Sequence, residues 1–98
     1  MSMTAVDRGY LEQTIDNQIR QIPDLVLLTR TEQFKKHYQF TNSEDMVFGM
    51  VLGAIYNNFS SYYVNVYRTM APPETISEAN NIVYKRLREI KEAIFNCD

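Results

Sequence analysis

The chain has 98 residues, 45% hydrophobic and 22% charged, which fits a single folded domain over residues 1–98 and excludes a disordered chain. Ten basic and twelve acidic residues give a net charge of −2, so no global positive field attracts nucleic acid or an acidic membrane. One cysteine, Cys97, excludes a disulfide framework within the chain and a zinc site built on several thiolates. We interpret it as a small apolar residue at a helix end; the alternative is a disulfide across a dimer in an oxidising setting.

The amino-terminal residues show no basic region followed by an apolar core, so no signal peptide is expected. The longest apolar run, residues 46–56, is much shorter than the roughly 20 residues that a membrane span requires. We therefore expect a protein without a membrane span, located in the cytoplasm.

The first helix is predicted from about Thr4 or Asp7 to Gln21. Its apolar face carries Leu11, Ile15, Ile19 and Ile22. Pro23 is expected to end it, because the residue before a proline is disfavoured in helical geometry. Residues 24–39 are interpreted as a second helix, although the apolar run Leu25–Leu28 alone also fits a short buried strand. The helix is preferred because no second strand is available to pair with that run.

Residues 43–70 are predicted to form one long helix, with Thr41 or Ser43 as its N-cap and Pro72 and Pro73 beyond its end. Apolar residues recur along one face at alternating steps of four and three: Phe48, Leu52, Ile55, Phe59, Tyr62 and Val66. Residues 44–56 are apolar nearly all round. This half of the helix is therefore expected to be surrounded by other helices, of the same chain or of a dimer.

A fourth helix is predicted from about Glu74 to Asn96. Its seam repeats the same spacing: Ile76, Asn80, Val83, Leu87, Ile90, Ile94 and Cys97. Asn80 is the polar exception, either partly exposed near the helix start or buried to set register and oligomeric state. The two long helices are expected to pack as an antiparallel hairpin. The predicted fold is therefore all-α, a small bundle of three or four helices built around this C-terminal hairpin.

The long third helix also carries the candidate functional residues. Gly49 and Gly53 lie one turn apart, and each costs about 1 kcal/mol of helix stability relative to alanine, so we expect another helix to approach them closely, within the chain or across a dimer. Tyrosine, asparagine and serine beside them are typical of adaptable binding surfaces. The other interpretation is that these tyrosines line the edge of the core with their hydroxyls in water. The candidate interface or ligand residues are Gly49, Gly53, Tyr56, Asn57, Ser60, Tyr63, Tyr67 and Asn80.

No pattern in the sequence indicates catalysis, so we predict no catalytic residue, no cofactor and no metal site. The only histidine, His37, lies three residues after Phe34 rather than after an acid, so the Glu-x-x-His pairs of a di-iron bundle are absent. Acid pairs such as Glu12 and Asp16 fall on polar faces that we interpret as solvated. The protein is therefore not expected to be an enzyme.

Three hypotheses of function follow. The preferred one is a small protein–protein interaction module (an adaptor, regulator or assembly factor) that acts as a homodimer and binds a further protein. The alternative is a small-molecule-binding protein or small enzyme, with a site on helix 43–70 lined by Tyr56, Asn57, Ser60, Tyr63 and Tyr67. The third is weak nucleic-acid binding, for which no recognition motif is present. It would use two small basic groups, namely Lys85, Arg86, Arg88 and Lys91, and Arg30, Lys35 and Lys36.

Overall fold

A computed structural model describes residues 3–96. Over this range the protein is all-helical, as predicted, and contains no strand. The helices are α1 (Ala5–Thr29), α2 (Glu32–Tyr38), α3 (Ser43–Tyr67), α4 (Pro73–Lys85) and α5 (Leu87–Phe95). None of these described helices is long and apolar enough to cross a membrane. Cys97 lies outside the described residues, so its interpretation stays a prediction.

The first helix does not end before Pro23, as the sequence predicted, but continues through it to Thr29. Proline inside a helix removes one N–H donor and crowds the preceding turn. Pro23 lies on the exposed side of α1, where water can reach the carbonyl group that loses its partner. Ile22 and Val26 on either side are buried in the core, and their burial holds the helix together across the proline. Residues 25–28 are therefore helical, as preferred over a strand, but they belong to α1. The prediction of one second helix over residues 24–39 is wrong, because only Glu32–Tyr38 forms a separate helix.

The third helix begins and ends close to its predicted bounds. Its N-cap is Asn42, rather than Thr41 or Ser43, and the Asn42 side chain accepts a hydrogen bond from the Asp45 backbone N–H at 3.0 Å. The helix ends where Arg68 adopts the left-handed conformation, with φ 60°.

Helices α1 and α3 have 25 residues each and run antiparallel along their full length. At one end the Ser43 hydroxyl donates to the Thr29 carbonyl at 3.4 Å, and at the other the Tyr67 hydroxyl donates to Asp7 at 2.8 Å. The buried stripe of α3 is Val47, Val51, Ile55 and Phe59. The predicted stripe is therefore right for Ile55 and Phe59 only. Phe48, Leu52 and Tyr62 pack partly buried against the core, and Val66 is exposed.

The predicted fourth helix is divided at Arg86, where the backbone leaves helical geometry with φ −109° and ψ 5°. Helix α4 packs against α1, whereas α5 packs against both α1 and α3. The predicted hairpin of two long C-terminal helices is not confirmed, because the helix that lies along the whole of α3 is α1. The core between these helices is closed by Ala79, Val83, Ile90 and Ile94 from the C-terminal pair.

Candidate functional site

Beyond its first turn, the solvent side of α3 carries no charge. Between Asp45 and Arg68 the sequence contains no lysine, arginine, aspartate or glutamate. One side of the helix is buried against α1 and α5, and the opposite side is open to solvent. We call this open side the outer face of α3, and it consists of Gly49, Gly53, Asn57, Ser60, Ser61 and Val64, all of them exposed. The glycine, asparagine and serine residues that the sequence analysis named as candidates lie together on this face because of helical periodicity.

The two glycines meet no other helix of the chain. A Cβ atom placed on Gly49 or on Gly53 would have no neighbouring atom within 4 Å. The predicted close approach is therefore wrong within the chain, because α1 and α5 lie on the other side of α3. An approach across a dimer stays a prediction. Residues 44–56 are likewise not surrounded by helices of their own chain, since both glycines face solvent.

The tyrosines predicted as a binding flank are engaged within the chain. Tyr63 is half-buried, with its ring centroid 6.2 Å from that of Phe59 and 4.4 Å from that of Tyr67. Tyr56 is also half-buried, and burial together with the nearby Tyr84 hydroxyl raises the pKa of its phenol. These rings fill space beside the core, and they leave the outer face of α3 to smaller side chains.

Asp7 forms a polar cluster at the end of the bundle where α1 begins and α3 ends. Its carboxylate is only 2% exposed and accepts hydrogen bonds from the Tyr62 and Tyr67 hydroxyls, both at 2.8 Å. Burial alone would raise the pKa of Asp7, but the bonds from Tyr62, Tyr67 and Thr4 bring it below its ordinary value. Burial and the bond to Asp7 raise the pKa of Tyr62 to about 12. Tyr67 therefore helps to join α1 to α3.

Sequence reasoning did not find this cluster. The spacing of Thr4 and Asp7 indicates a helix cap, and the structure contains a complete capping box there. The two tyrosines that complete the cluster follow Asp7 by 55 and 60 residues, a distance over which no sequence pattern indicates contact.

Asn80 lies apart from the other candidate residues. It is half-buried on α4, one turn from Ile76 and Tyr84, which are both exposed. Helix α4 packs against α1 rather than against α3. The structure therefore brings seven of the candidates onto one helix, and it does not place Asn80 in the outer face of α3.

The opposite side of the molecule, where α1 meets α4 and α5, is densely charged. The Arg86 guanidinium, with a side chain 17% exposed, donates to Glu12 at 3.0 Å, Asp16 at 2.6 Å and Glu89 at 2.8 Å. We call these four residues the Arg86 cluster. The hydrogen bond from Arg86 lowers the pKa of Glu89. In turn, the hydrogen bonds to the three carboxylates, of which the one to Glu89 has the largest effect, raise the pKa of Arg86 although burial alone would lower it.

The Arg86 cluster changes the interpretation of both the acids and the basic stretch. Glu12 and Asp16 are only half exposed and bind Arg86, so they are not simply solvated. Arg88 pairs with Glu92 at 3.0 Å, and the Lys91 ammonium lies 5.1 Å from the centre of the Phe48 ring. A groove of about 340 Å³ beside the cluster is lined by charges of both signs, including Arg8, Lys85 and Glu78. This side therefore presents no purely basic surface.

Among residues 3–96, no group of three or more histidine, cysteine, aspartate or glutamate side chains is arranged to hold a metal ion. Comparison of the chain with known protein families, with curated proteins and with solved structures finds no match.

Proposed function

We propose that the protein is a protein–protein interaction module that acts as a homodimer, with the outer face of α3 in the interface. The observation that supports this is the absence of charge over residues 46–67 of α3, a stretch about 33 Å long at 1.5 Å per residue. The solvent side of a helix in a globular protein ordinarily carries charged residues. All the lysine, arginine, aspartate and glutamate residues of this chain lie outside residues 46–67.

Charge depletion is a compositional mark of the buried centre of protein interfaces. A face of glycine, serine and asparagine can pack against another surface without removing a charge from water, a step that costs several kcal/mol per ion. Such a module would serve as an adaptor, regulator or assembly factor in the cytoplasm, with a second protein bound to surfaces that the dimer leaves open.

A matched pair of serine substitutions tests the proposal. Ser60 lies on the outer face of α3 and Ser77 is exposed on α4, and glutamate at either position makes the net charge −3 instead of −2. Ser60→Glu places two like charges in the interface of a dimer, so we expect its dissociation constant to rise by about tenfold or more. Ser77→Glu should leave the constant within about twofold of wild type. Sedimentation equilibrium measures both, and an equal effect of the two substitutions would contradict the assignment of the face.

A further inference from the structure

The groove on the charged side of the molecule runs between α1 and α4, and two ion pairs cross it. The Arg8 guanidinium of α1 lies 3.7 Å from the Glu78 carboxylate of α4, and one turn further along α1 the Glu12 carboxylate accepts from Arg86 at 3.0 Å. The two pairs have opposite polarity, because α1 supplies the cation of the first and the anion of the second. Helix α4 lines the groove between them with Asn81, Ile82 and Lys85.

Arg86 has no hydrogen-bond donor left for a molecule in this groove. Its Nη1 group donates to the backbone carbonyl and to the carboxylate of Glu12, and its Nη2 group donates to Asp16 and Glu89. Its Nε–H donates to Glu89. These bonds use all five N–H groups of a guanidinium, so a ligand must find its donors elsewhere.

Two other cations of the groove have donors that no described residue uses. The Lys85 side chain is exposed, and within residues 3–96 its ammonium group has no ion pair and no hydrogen bond. The Arg8 guanidinium approaches only Glu78 in this range, and their distance of 3.7 Å is too long for a hydrogen bond. Both side chains can therefore donate to an anionic group that enters the groove.

The carboxylates of the groove have unused acceptor positions. Glu78 accepts from the Met3 backbone N–H at 3.2 Å, and Glu12 accepts from Arg86, whereas an ionised carboxylate offers about four acceptor positions. The groove and the Arg86 cluster beside it together carry a net charge of −1. This charge comes from three cations and four carboxylates: Arg8, Lys85, Arg86, Glu12, Asp16, Glu78 and Glu89. A ligand with an anionic group alone would be repelled by this excess, and an ammonium group on the same ligand removes the repulsion.

We propose that the groove binds a small zwitterion, namely a free amino acid with an apolar side chain. Its carboxylate accepts from Arg8 and Lys85, and its ammonium donates to the acceptor positions left on Glu12 and Glu78. Its side chain contacts the half-buried Ile82. The volume of about 340 Å³ is near the lower end of the range of small-molecule sites, roughly 300–1,000 Å³, so the ligand is small. The groove lies away from the outer face of α3, so this proposal does not depend on the proposed function.

Three probes of nearly the same shape test whether both charges are recognised. L-Leucine carries both, 4-methylpentanoate lacks the ammonium group, and 3-methylbutylamine lacks the carboxylate. Each is titrated into ¹⁵N-labelled protein while the NMR signal of the Asn81 side-chain amide, which lies in the groove, is followed. We expect leucine to bind with a millimolar dissociation constant, and each analogue to bind about fivefold more weakly or worse, because it loses the ion pairs of one charged group.

A matched pair of lysine substitutions tests the position of the site. Lys85→Met removes the cation of the groove that has no partner in the described chain, and Lys36→Met makes the same change at an exposed position of α2. We expect Lys85→Met to raise the dissociation constant of leucine about fivefold, and Lys36→Met to leave it within about twofold. Far-UV circular dichroism verifies that both variants are folded.

Three results would overturn the proposal. The first is no shift of the Asn81 amide signal at leucine concentrations up to about 50 mM. The second is an analogue that binds as tightly as leucine, since one charge alone would then be recognised. The third is an equal effect of the two lysine substitutions, which would place the binding outside the groove. None of these results bears on the dimer, so the proposed function would stand.

Discussion

The first half of helix α1 has two sides that differ in charge. On one side Glu12 and Asp16 bind Arg86 and thereby fix α1 against the junction of α4 and α5. On the other side the uncharged residues Tyr10 and Gln13 face solvent, and Asn17 accepts a hydrogen bond from Arg20. In this half of α1, charge is thus concentrated where the helix meets α4 and α5. The difference shows that the charges in this half of α1 serve contacts within the chain.

Removal of the cation from the Arg86 cluster should have the largest effect on folding. Arg86→Met keeps much of the side-chain volume but leaves three carboxylates around an uncharged group. Hydrogen bonds to charged groups contribute about 1.5–3 kcal/mol each, but these carboxylates are half exposed and water replaces part of the loss, so we expect the free energy of unfolding to fall by about 2 kcal/mol. Urea unfolding monitored by circular dichroism measures it.

The control is Arg88→Met on the same helix turn. The Arg88 side chain is 91% exposed and pairs only with Glu92, four residues on, so its removal should cost no more than about 0.5 kcal/mol. Equal losses for the two variants would show that the Arg86 cluster does not hold the charged side together. Neither variant should change the dissociation constant of the dimer, because both residues lie away from the outer face of α3.

Asp7→Asn tests the polar cluster that joins the ends of α1 and α3. The amide group cannot accept from two tyrosines as a carboxylate does, so we expect a loss of about 1–2 kcal/mol at pH 7. The folded-state pKa of Asp7 lies below its ordinary 3.8, so its contribution is fully present above that value. The contribution is lost as the pH falls through the lowered pKa.

The stability of Asp7→Asn should accordingly vary less with pH than that of the wild type in the acid range. Asp24→Asn, at an exposed position of the same helix, serves as the comparison and should keep the wild-type profile at about the wild-type stability. Urea unfolding at a series of pH values measures the stability of each variant and of the wild type. A pH profile of Asp7→Asn that parallels the wild type would mean that Asp7 does not gain stability from the two tyrosines.

The smallest expected effect concerns the glycines. A Cβ on Gly53 or on Gly9 meets no atom within 4 Å, so alanine at either position should stabilise the folded monomer by up to about 1 kcal/mol through helix propensity. Only Gly53 lies on the outer face of α3, so Gly53→Leu should weaken the dimer while Gly9→Leu should not. Thermal unfolding at low concentration and sedimentation equilibrium measure the two effects. A loss of monomer stability in Gly53→Ala would contradict the open face.

The sequence predicts the helical class and the bounds of α3 because helical periodicity and capping residues are local signals. It fails at Pro23, since burial of Ile22 and Val26 in the tertiary structure outweighs the local effect of proline. It also fails at Arg86, which binds carboxylates 70 and 74 residues away in sequence at a break between two helices that the sequence predicts as one. The spacing of the glycine and serine residues is enough to predict that they share one face of α3. The sequence does not predict which side of α3 is open to solvent, because that depends on where α1 packs.

The most direct test of the account is sedimentation equilibrium of the wild-type protein over a range of protein and salt concentrations. We expect a dimer that forms at micromolar concentration. Its dissociation constant should change little between about 0.05 M and 0.5 M salt, because an interface without charges is not screened. A folded monomer at several hundred micromolar would contradict the account. So would a dimer that dissociates steeply with added salt, which would place the interface on the charged side.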